Sequence, residues 1–279
     1  MKRVWFKGGV VAGDIALSPF DRGLTLGDGL FETMLVLNGV ALDLDDHLQR
    51  FSKSADVLGI AFPRDEIAAS VAVLCNGVID HHVLRLTLTR GSAGRGLATD
   101  TDDFTYVATV QPFNAALMFQ AVELCLVSVC RNDTSVASRH KTTSYIDQIL
   151  AAREAQEDSA AEPLMCNTRG KLASASIGNV FLSFGQRLVT PSLDQGILPG
   201  IMRKNVIALA GKAGFTVEER PVEPSELERA DGVFITNSLR FLATSPRHAR
   251  TDFAVLVEAL CAAARVDCGV DPRAGKASA

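Results

Sequence analysis

The stretch SPFDRGLTLGDGLFETMLVLNGVALDLDDHLQRF, residues 18–51, combines the signals of two kinds of secondary structure. Within it, LFETMLVLNGVALDL predicts two strands joined at Asn38-Gly39, a dipeptide that strongly favours a tight hairpin turn. The pattern that follows, DDHLQRFSKSADVLGI, predicts a helix with one apolar face, formed by Leu48, Phe51, Ala55 and Leu58. Strands and a helix thus follow one another without the regular strand–helix alternation of a doubly wound sheet.

The remainder of the chain mixes strand and helix signals in the same way. QPFN, residues 111–114, is the best candidate for a linker between two regions that each mix strands and helices. We therefore predict an α+β fold of two domains. A small α+β domain is predicted at 1–113, a linker at 114–120 and a larger α+β domain at 121–279. The last residues, 272–279, are predicted to be disordered.

Composition and charge restrict the function classes. The chain has 279 residues, of which 47% are hydrophobic and 22% charged, as in an ordinary soluble globular protein. The net charge of −4 argues against a general nucleic-acid binder, and no apolar run approaches the roughly 20 residues of a membrane span. We expect no signal peptide, because the N-terminus has no continuous apolar core. The six cysteines form no CxxC pair, which favours a reduced, cytoplasmic protein, and no metal site is predicted.

A basic cluster precedes a predicted helix in SRHKTTSYIDQILAAREAQE, residues 138–157. The hydroxyl residues Thr142 to Ser144 are N-cap candidates, so the helix is predicted to begin there. The positive end of a helix and the basic neighbours both disfavour an ammonium group on Lys141. A neutral lysine amine attacks carbonyl groups, and a lysine Schiff base suggests pyridoxal 5′-phosphate (PLP) as a cofactor. The alternative is a solvated basic cluster without a chemical role.

A phosphate-bearing cofactor needs an anion site, and several segments are candidates. ILPGIMRKNVI predicts a helix that begins at Gly200, where unpaired backbone N–H groups attract anions. ITNSLR, residues 235–240, places polar side chains at a strand end, where they bind a phosphate or simply form a turn. Arg50 lies on the helix after the hairpin, as a bidentate phosphate ligand or as an ordinary surface arginine. The loop RGSAGRG, residues 90–96, suits an anionic substrate or a turn.

These segments together resemble the fold type IV family of PLP enzymes, the class IV aminotransferases and their relatives. Residues 18–51 are similar to that family's DRG, GDGxFET and HLxRL signature. KTTSYIDQILAAREA is similar to its lysine segment, and GNVFLSF with VTPSLDQGILPGIMR is similar to its second signature. The resemblance covers about residues 4 to 245, with the blocks in the family's order. It implies a two-domain fold like that of D-amino-acid aminotransferase, with PLP as the cofactor.

The resemblance implies roles for single residues. Lys141 matches the lysine that binds PLP covalently and serves as the general base. Arg50 matches a phosphate-binding arginine, and Tyr145 matches a residue near the ring hydroxyl. The remaining cofactor-binding positions lie in the second signature and at the strand end: Ser174, Gly200, Ile201, Met202, Asn237 and Ser238.

The loop TRGSAGRGL resembles the RGSGGRGY loop of the aminodeoxychorismate lyases in this family. Those enzymes release pyruvate and leave 4-aminobenzoate, a folate precursor, and this activity is the favoured function. Arg95 is then predicted to bind a substrate carboxylate. The D-amino-acid aminotransferases carry an arginine, a histidine two residues later and an earlier tyrosine, whereas the matching positions here are Arg95, Leu97 and Phe31. That carboxylate site is incomplete, so a D-amino-acid or branched-chain aminotransferase is the alternative.

Ser174 departs from the family pattern. Family members usually have a glutamate five residues before the asparagine of the NVF segment, and this glutamate pairs with the pyridine nitrogen. A serine hydrogen-bonds that nitrogen but supplies no charge, which makes the ring a poorer electron sink. Either the chemistry needs less carbanion stabilisation, or another acid substitutes, or the protein binds PLP with weak or no catalysis.

The resemblance also predicts the partners of the chain. Members of the family act on small molecules, here an amino acid or an aminodeoxychorismate-like substrate. They complete their site with a second subunit, so we expect a homodimer. No nucleic-acid partner and no membrane partner are expected.

Overall fold

The computed structural model describes residues 2–99, 101–158, 160, 162–248 and 253–274. Contacts within this part of the chain form two compact units. The first unit consists of Met1–Ala115, Lys141–Ser144 and Ala264–Gly275, and the second of Ala116–His140 and Tyr145–Ala263. The domain bounds 1–113, 114–120 and 121–279 stay a prediction. Lys141–Ser144 belongs to the first unit, although the chain on either side of it belongs to the second.

In the described part of the first unit, six strands form one antiparallel sheet. The elements are β1 (Arg3–Phe6), β2 (Gly9–Val11), α1 (Arg22–Leu26), β3 (Gly29–Leu37), β4 (Val40–Ala41), α2 (Leu44–Leu58), α3 (Arg64–Cys75), β5 (His82–Thr89) and β6 (Thr105–Pro112). The strand order is β2-β1-β6-β5-β3-β4, so β3 and β5 are hydrogen-bonded neighbours.

One face of this sheet is apolar and packs against α2 and α3. Leu30, Met34 and Leu86 are fully buried there, together with Phe51 of α2 and Leu74 of α3. Removing this much apolar surface from water is the main force that stabilises the unit.

The opposite face of the sheet carries the residues between these apolar positions. Across β3 and β5, Phe31 is paired with Thr87 and Thr33 with Arg85. Paired residues of neighbouring strands point to the same face, so these four side chains share the face away from the apolar core.

The hairpin predicted at Asn38-Gly39 is confirmed. These two residues connect β3 to β4 with φ angles of 49° and 78°. Positive φ at both central positions is the reason that asparagine and glycine are favoured in this turn. The predicted amphipathic helix is α2, whose residues Phe51 and Ala55 are buried.

The second unit contains two sheets in its described residues. The elements are β7 (Leu124–Leu126), α4 (Ile146–Glu157), β8 (Glu162–Cys166), β9 (Leu172–Ala175), β10 (Asn179–Phe184), β11 (Arg187–Pro191), α5 (Ile201–Ala210), β12 (Thr216–Arg220), β13 (Gly232–Asn237), β14 (Phe241–Thr244) and α6 (Phe253–Cys268), whose last residues belong to the first unit. One sheet has the order β12-β11-β10-β13-β14 and the other β7-β8-β9. This mixture of helix and sheet confirms the predicted α+β class.

Aromatic rings fill one side of the five-stranded sheet. The rings of Phe181 and Phe234 stack with their centroids 5.0 Å apart and their planes 8° apart. Phe253 of α6 meets Phe234 edge-on at 4.9 Å. On the other side of the sheet, Val180 and Ile235 belong to a separate apolar cluster. β10 and β13 are therefore buried on both faces.

Helix α6 is missing from the elements predicted from the sequence, although Phe253, Leu256 and Leu260 are buried at helical spacing. No helix in the described residues is both long and apolar enough to cross a membrane. Of the tail predicted to be disordered, 275–279 lies outside the described residues. Pro272 in the same tail is fixed, because its carbonyl accepts a hydrogen bond from Nε2 of His81 at 2.7 Å.

Candidate active site

Lys141 is placed by backbone pairing with β3. Phe31 N donates to Lys141 O at 2.9 Å, and Thr143 N donates to Gly29 O at 2.9 Å. Thr142 forms a bridge with Leu30 between them. A lysine fixed by its main chain against a sheet needs no helix to position its side chain.

The helix predicted to begin near Thr142 to Ser144 begins later, so that prediction is wrong. α4 starts at Ile146, and its N-cap residue Tyr145 makes no side-chain capping bond. The hydroxyls have another use, because Thr143 Oγ1 and Ser144 Oγ both donate to Gly27 O, at 2.9 and 3.2 Å. Lys141 is therefore not at a helix N-terminus, and the argument that the helix end favours its neutral form does not apply.

The Phe31 ring lies beside two cationic groups. Nζ of Lys141 is 4.4 Å from the ring centroid, and Cζ of Arg85 is 3.8 Å from it. Both distances are within the range of favourable cation–π contact. Phe31 itself is buried. The predicted site residues Phe31 and Lys141 are thus brought together, although the substrate role of Phe31 stays a prediction.

Arg85 is not among the site residues predicted from the sequence, although the alternating pattern of its strand indicates its position. HVLRLTLT alternates buried leucines with polar residues, and Arg85 and Thr87 are the polar positions in mid-strand. An arginine in the middle of an alternating strand points away from the apolar face. That face is the one that carries Phe31.

Arg50 is bound to a buried carboxylate. Its Nε and Nη2 donate to the two oxygens of Glu32 at 2.8 and 2.7 Å, and His47 Nδ1 is 2.6 Å from Glu32 Oε2. Burial alone would raise the pKa of Glu32, but the Arg50 charge and the hydrogen bonds from His47 and Arg50 lower it to about 2. Glu32 thus fixes the guanidinium of Arg50, and the phosphate contact of Arg50 stays a prediction.

Arg95 and Leu97 lie on the exposed loop that follows β5, and the Leu97 side chain is 82% exposed. The loop is tied to the first unit by Arg22, whose Nη1 and Nη2 donate to Gly96 O and Leu97 O at 2.8 and 3.0 Å. Asp28 in turn accepts hydrogen bonds from Arg22 and Arg90. The loop backbone is fixed, whereas the substrate contact of Arg95 stays a prediction.

The N-terminus of α5 is a second candidate region, in the second unit. The helix begins at Ile201 with Gly200 as its N-cap, as predicted, and no side chain caps it. A Cβ on Gly200 would lie 2.0 Å from Asn179 Oδ1, so only glycine fits there without a shift. Asn179 is buried and donates to Leu198 O at 3.0 Å. The first helical residues, Ile201 and Met202, are both buried.

Several buried polar atoms of the second unit have no hydrogen-bond partner among the described residues. They include Ser174 Oγ, Thr236 Oγ1 and Arg240 Nη1. Ser174 is 4% exposed and Thr236 2% exposed. Buried polar groups in folded proteins are normally satisfied, so such atoms indicate a place where a ligand supplies the missing partners.

Asn237 and Tyr145 have structural contacts in the second unit. Asn237 Oδ1 accepts from Leu239 N and Arg240 N, at 3.0 and 2.8 Å, which makes it a turn residue. Ser238 lies inside this turn and is partly buried. Tyr145 is the N-cap of α4 and is also partly buried. The cofactor contacts predicted for these three residues stay predictions.

Comparison with known proteins gives the family. The model of the family described as amino-transferase class IV matches residues 29–244. The aminodeoxychorismate lyase of Bacillus subtilis is 31% identical over 235 residues, which cover 81% of this chain and 79% of that protein. The chain belongs to the class IV aminotransferase family.

Two further comparisons agree with this assignment. The D-alanine aminotransferase of Bacillus licheniformis is 28% identical over 231 residues, covering 78% of each chain. A PLP-bound structure of a hypothetical aminotransferase from Mycobacterium tuberculosis has a TM-score of 0.84 at 24% identity and covers 95% of this chain and 99% of that one. The predicted fold type IV architecture is confirmed. Class IV aminotransferases are PLP-dependent enzymes, so this family member is an enzyme and its cofactor is PLP.

The residues of the second unit fit PLP. Its phosphate needs an anion site, and the start of α5 presents backbone N–H groups beside a glycine that leaves no room for a side chain. The cofactor's ring nitrogen and oxygens need hydrogen-bond partners, and the buried hydroxyls of Ser174 and Thr236 lack partners. No group of three or more metal-ligand side chains occurs in the part of the chain that the structure describes.

The Glu32 cluster predicts a loss of stability in acid. A carboxylate whose pKa is lowered by folding stabilises the protein above its unfolded pKa, near 4.5, and loses that contribution as the pH falls toward about 2. By pH 3 the loss is on the order of 2 kcal/mol. Trp5, the single tryptophan, is buried in the same unit and reports its unfolding in urea.

Glu32→Gln should therefore lower stability at pH 6 by roughly 3–5 kcal/mol and reduce the further loss at pH 3. Glu228→Gln, at an exposed position, is the matched control and should behave as wild type. Equal losses between pH 6 and pH 3 in wild type and Glu32→Gln would show that Glu32 is not the titrating group.

Gly200→Ala should weaken PLP binding about tenfold or more, because a Cβ there displaces either Asn179 or the first turn of α5. Gly211→Ala is the control, since its Cβ would meet nothing within 4 Å and its backbone is helical. Titration of the apoprotein with PLP gives both affinities. Wild-type affinity in folded Gly200→Ala would exclude the start of α5 as the phosphate site.

Proposed function

We propose that this PLP-dependent enzyme is an aminodeoxychorismate lyase, which releases pyruvate and leaves 4-aminobenzoate. The observation that carries the proposal is the 31% identity to the Bacillus subtilis lyase over four-fifths of the chain. The glycine-rich loop TRGSAGRGL, similar to the lyase loop, supports it. The proposed pathway context is folate biosynthesis.

Lys141 is the proposed catalytic residue. PLP, when bound, supplies an electron sink for the carbanion that forms when a substrate loses its α-proton. Lys141 Nζ is proposed to bind the cofactor covalently and then to move that proton as the general base. The backbone bonds of Lys141 to Phe31, and of Thr143 to Gly29, fix the position from which the amine acts. Holding a catalytic group in a fixed position contributes substantially to the rate of an enzymatic proton transfer.

The other proposed roles follow from the charges and donors of each residue. The backbone amides of Ile201 and Met202, next to Gly200, bind the phosphate at the start of α5. Arg50, Asn237 and Ser238 add side-chain contacts to the cofactor, and Tyr145 lies near its ring hydroxyl. Arg95 binds a substrate carboxylate, with Phe31 and Leu97 as further substrate contacts.

A D-amino-acid or branched-chain aminotransferase is the second candidate. The 28% identity to a D-alanine aminotransferase over 78% of the chain favours it. Leu97 and Phe31 do not supply the histidine and tyrosine expected of a D-amino-acid carboxylate site, which is why this candidate stands second.

We also propose that the enzyme is a cytoplasmic homodimer. The free thiols of all six cysteines support a reducing compartment. Light scattering on the eluting protein should give twice the mass of the 29.8 kDa chain. A monomer mass for the active protein would contradict the proposed dimer.

The proposed activity predicts the products of a single experiment. The PLP-loaded enzyme incubated with 4-amino-4-deoxychorismate should release pyruvate and 4-aminobenzoate in equal amounts, and Lys141→Ala should release neither. Formation of a keto acid from D-alanine or a branched-chain amino acid, without pyruvate release from aminodeoxychorismate, would identify the aminotransferase instead.

Ser174 determines how well the carbanion is stabilised. Glu162, a buried acid on the neighbouring strand β8, accepts from Ser176 Oγ and Ile177 N. In the β8–β9 register Ser174 is opposite Met165, whereas Glu162 is in line with Leu164, on the other face of the strand pair. We therefore propose that Glu162 does not replace the missing glutamate.

Ser174→Glu should then accelerate α-proton abstraction about five- to tenfold, the difference between a neutral and a charged hydrogen bond to the ring nitrogen. Ser174→Ala, similar in volume but without the hydroxyl, should slow it. Single-turnover exchange of the α-proton in D₂O measures both variants. Identical exchange rates in all three proteins would place Ser174 away from the ring.

A further inference from the structure

Arg240 lies in the turn between β13 and β14, and its backbone is fixed at both ends. Arg240 N donates to Asn237 Oδ1 at 2.8 Å, and Phe119 N donates to Arg240 O at 3.0 Å. Phe119 and Phe241 both have positive φ, 56° and 61°, and their ring centroids are 5.4 Å apart. Such a conformation costs a bulky residue energy and persists only where its surroundings impose it. The turn that carries Arg240 is thus rigid.

One nitrogen of the Arg240 guanidinium is not satisfied by the protein. Its Nη1 is buried without a hydrogen-bond partner in the described residues. Glu162 is the carboxylate that interacts with it electrostatically, while Glu162 Oε1 accepts from Ser176 Oγ and Ile177 N. A buried charged donor without an acceptor is costly, so an acceptor from a ligand is expected to stabilise it.

Two other unsatisfied groups belong to the second unit. Thr236 lies on β13, four residues before Arg240. A Cβ added to Gly178 would be 2.8 Å from the carbonyl oxygen of Thr236. Ser174 precedes the turn in which Ala175 N donates to Gly178 O and Ile177 N donates to Glu162 Oε1. The hydroxyls of Thr236 and Ser174 are both buried without a partner.

We propose that Arg240 binds a carboxylate group of the substrate. The inference rests on the proposed function to the extent that it needs a carboxylate-bearing substrate, and lyase and aminotransferase substrates both carry one. A guanidinium presents two parallel N–H groups that match the two oxygens of a carboxylate. The phosphate of PLP already has a candidate site in the backbone amides at the start of α5.

The test measures binding of pyruvate to the PLP-loaded enzyme by calorimetry, with uncharged pyruvamide as the matched ligand. Arg240→Gln should weaken pyruvate binding at least tenfold and leave pyruvamide binding within about twofold of wild type. Arg240→Lys, which keeps the charge but not the planar fork, should lie between the two. Arg229→Gln, at an exposed position of the same unit, should bind pyruvate as wild type does.

Three results would overturn the proposal. The first is unchanged pyruvate affinity in Arg240→Gln. The second is weaker binding of PLP to Arg240→Gln apoprotein with pyruvate affinity intact, which would assign Arg240 to the cofactor phosphate. The third is an Arg240→Gln variant that is less stable than wild type, regains stability when Glu162→Gln is added, and binds pyruvate with unchanged affinity. That result would make Arg240 only the charge partner of Glu162.

The design also separates the proposal from the proposed function. If Arg240→Gln does not fold, Arg240→Lys and the double variant Glu162→Gln/Arg240→Gln carry the same binding test. A wild-type enzyme that does not act on aminodeoxychorismate, but whose pyruvate binding still depends on Arg240, would refute the lyase activity and leave the role of Arg240 intact.

Discussion

The pairing of residues 141–143 with β3 is the interaction on which the account depends. Two backbone hydrogen bonds and a bridge attach this segment to Gly29–Phe31, and Lys141 Nζ lies 4.4 Å from the Phe31 ring centroid as a result. β3 is buried along almost its whole length, so it offers a rigid edge. A short segment between two parts of the second unit thereby becomes part of the first. The chain places the Lys141 amine with main-chain geometry rather than with a helix dipole.

Two groups of buried polar side chains differ in whether the protein supplies their hydrogen-bond partners. In the first unit, Glu32 is satisfied by Arg50 and His47, and its pKa falls to about 2. In the second unit, Arg240 Nη1 and the hydroxyls of Ser174 and Thr236 are buried without partners. A satisfied cluster contributes stability, whereas an unsatisfied one costs stability until a ligand binds. The second arrangement is therefore the one that indicates a binding function.

The sequence predicted much of the fold because its strongest signals are local. The Asn38-Gly39 turn, the apolar face of α2 and the start of α5 at Gly200 each depend on neighbouring residues, and each was predicted correctly. The start of α4 was predicted two to four residues early, because Thr143 and Ser144 bond to Gly27, which is more than 100 residues away in the chain. No local pattern reveals such a contact.

The candidate site was predicted through motifs, and its supporting residues were not. Lys141 and Gly200 stand out in the sequence, but the attachment of Arg50 to Glu32 becomes visible only when α2 packs on β3. Arg85 is recognisable by strand alternation alone, yet its distance of 3.8 Å from the Phe31 ring requires the register of β3 and β5. Arg240 looks like an ordinary turn residue until the burial of its Nη1 is known.

The central claim is that Lys141 is the residue that binds PLP. Borohydride reduction of the PLP-loaded protein, followed by proteolysis and mass spectrometry, fixes the cofactor on the lysine to which it was attached. The account predicts a pyridoxyl group on the peptide that contains Lys141 and on no other peptide. A modified peptide from Lys171, Lys204 or another lysine, with Lys141 unmodified, would contradict it.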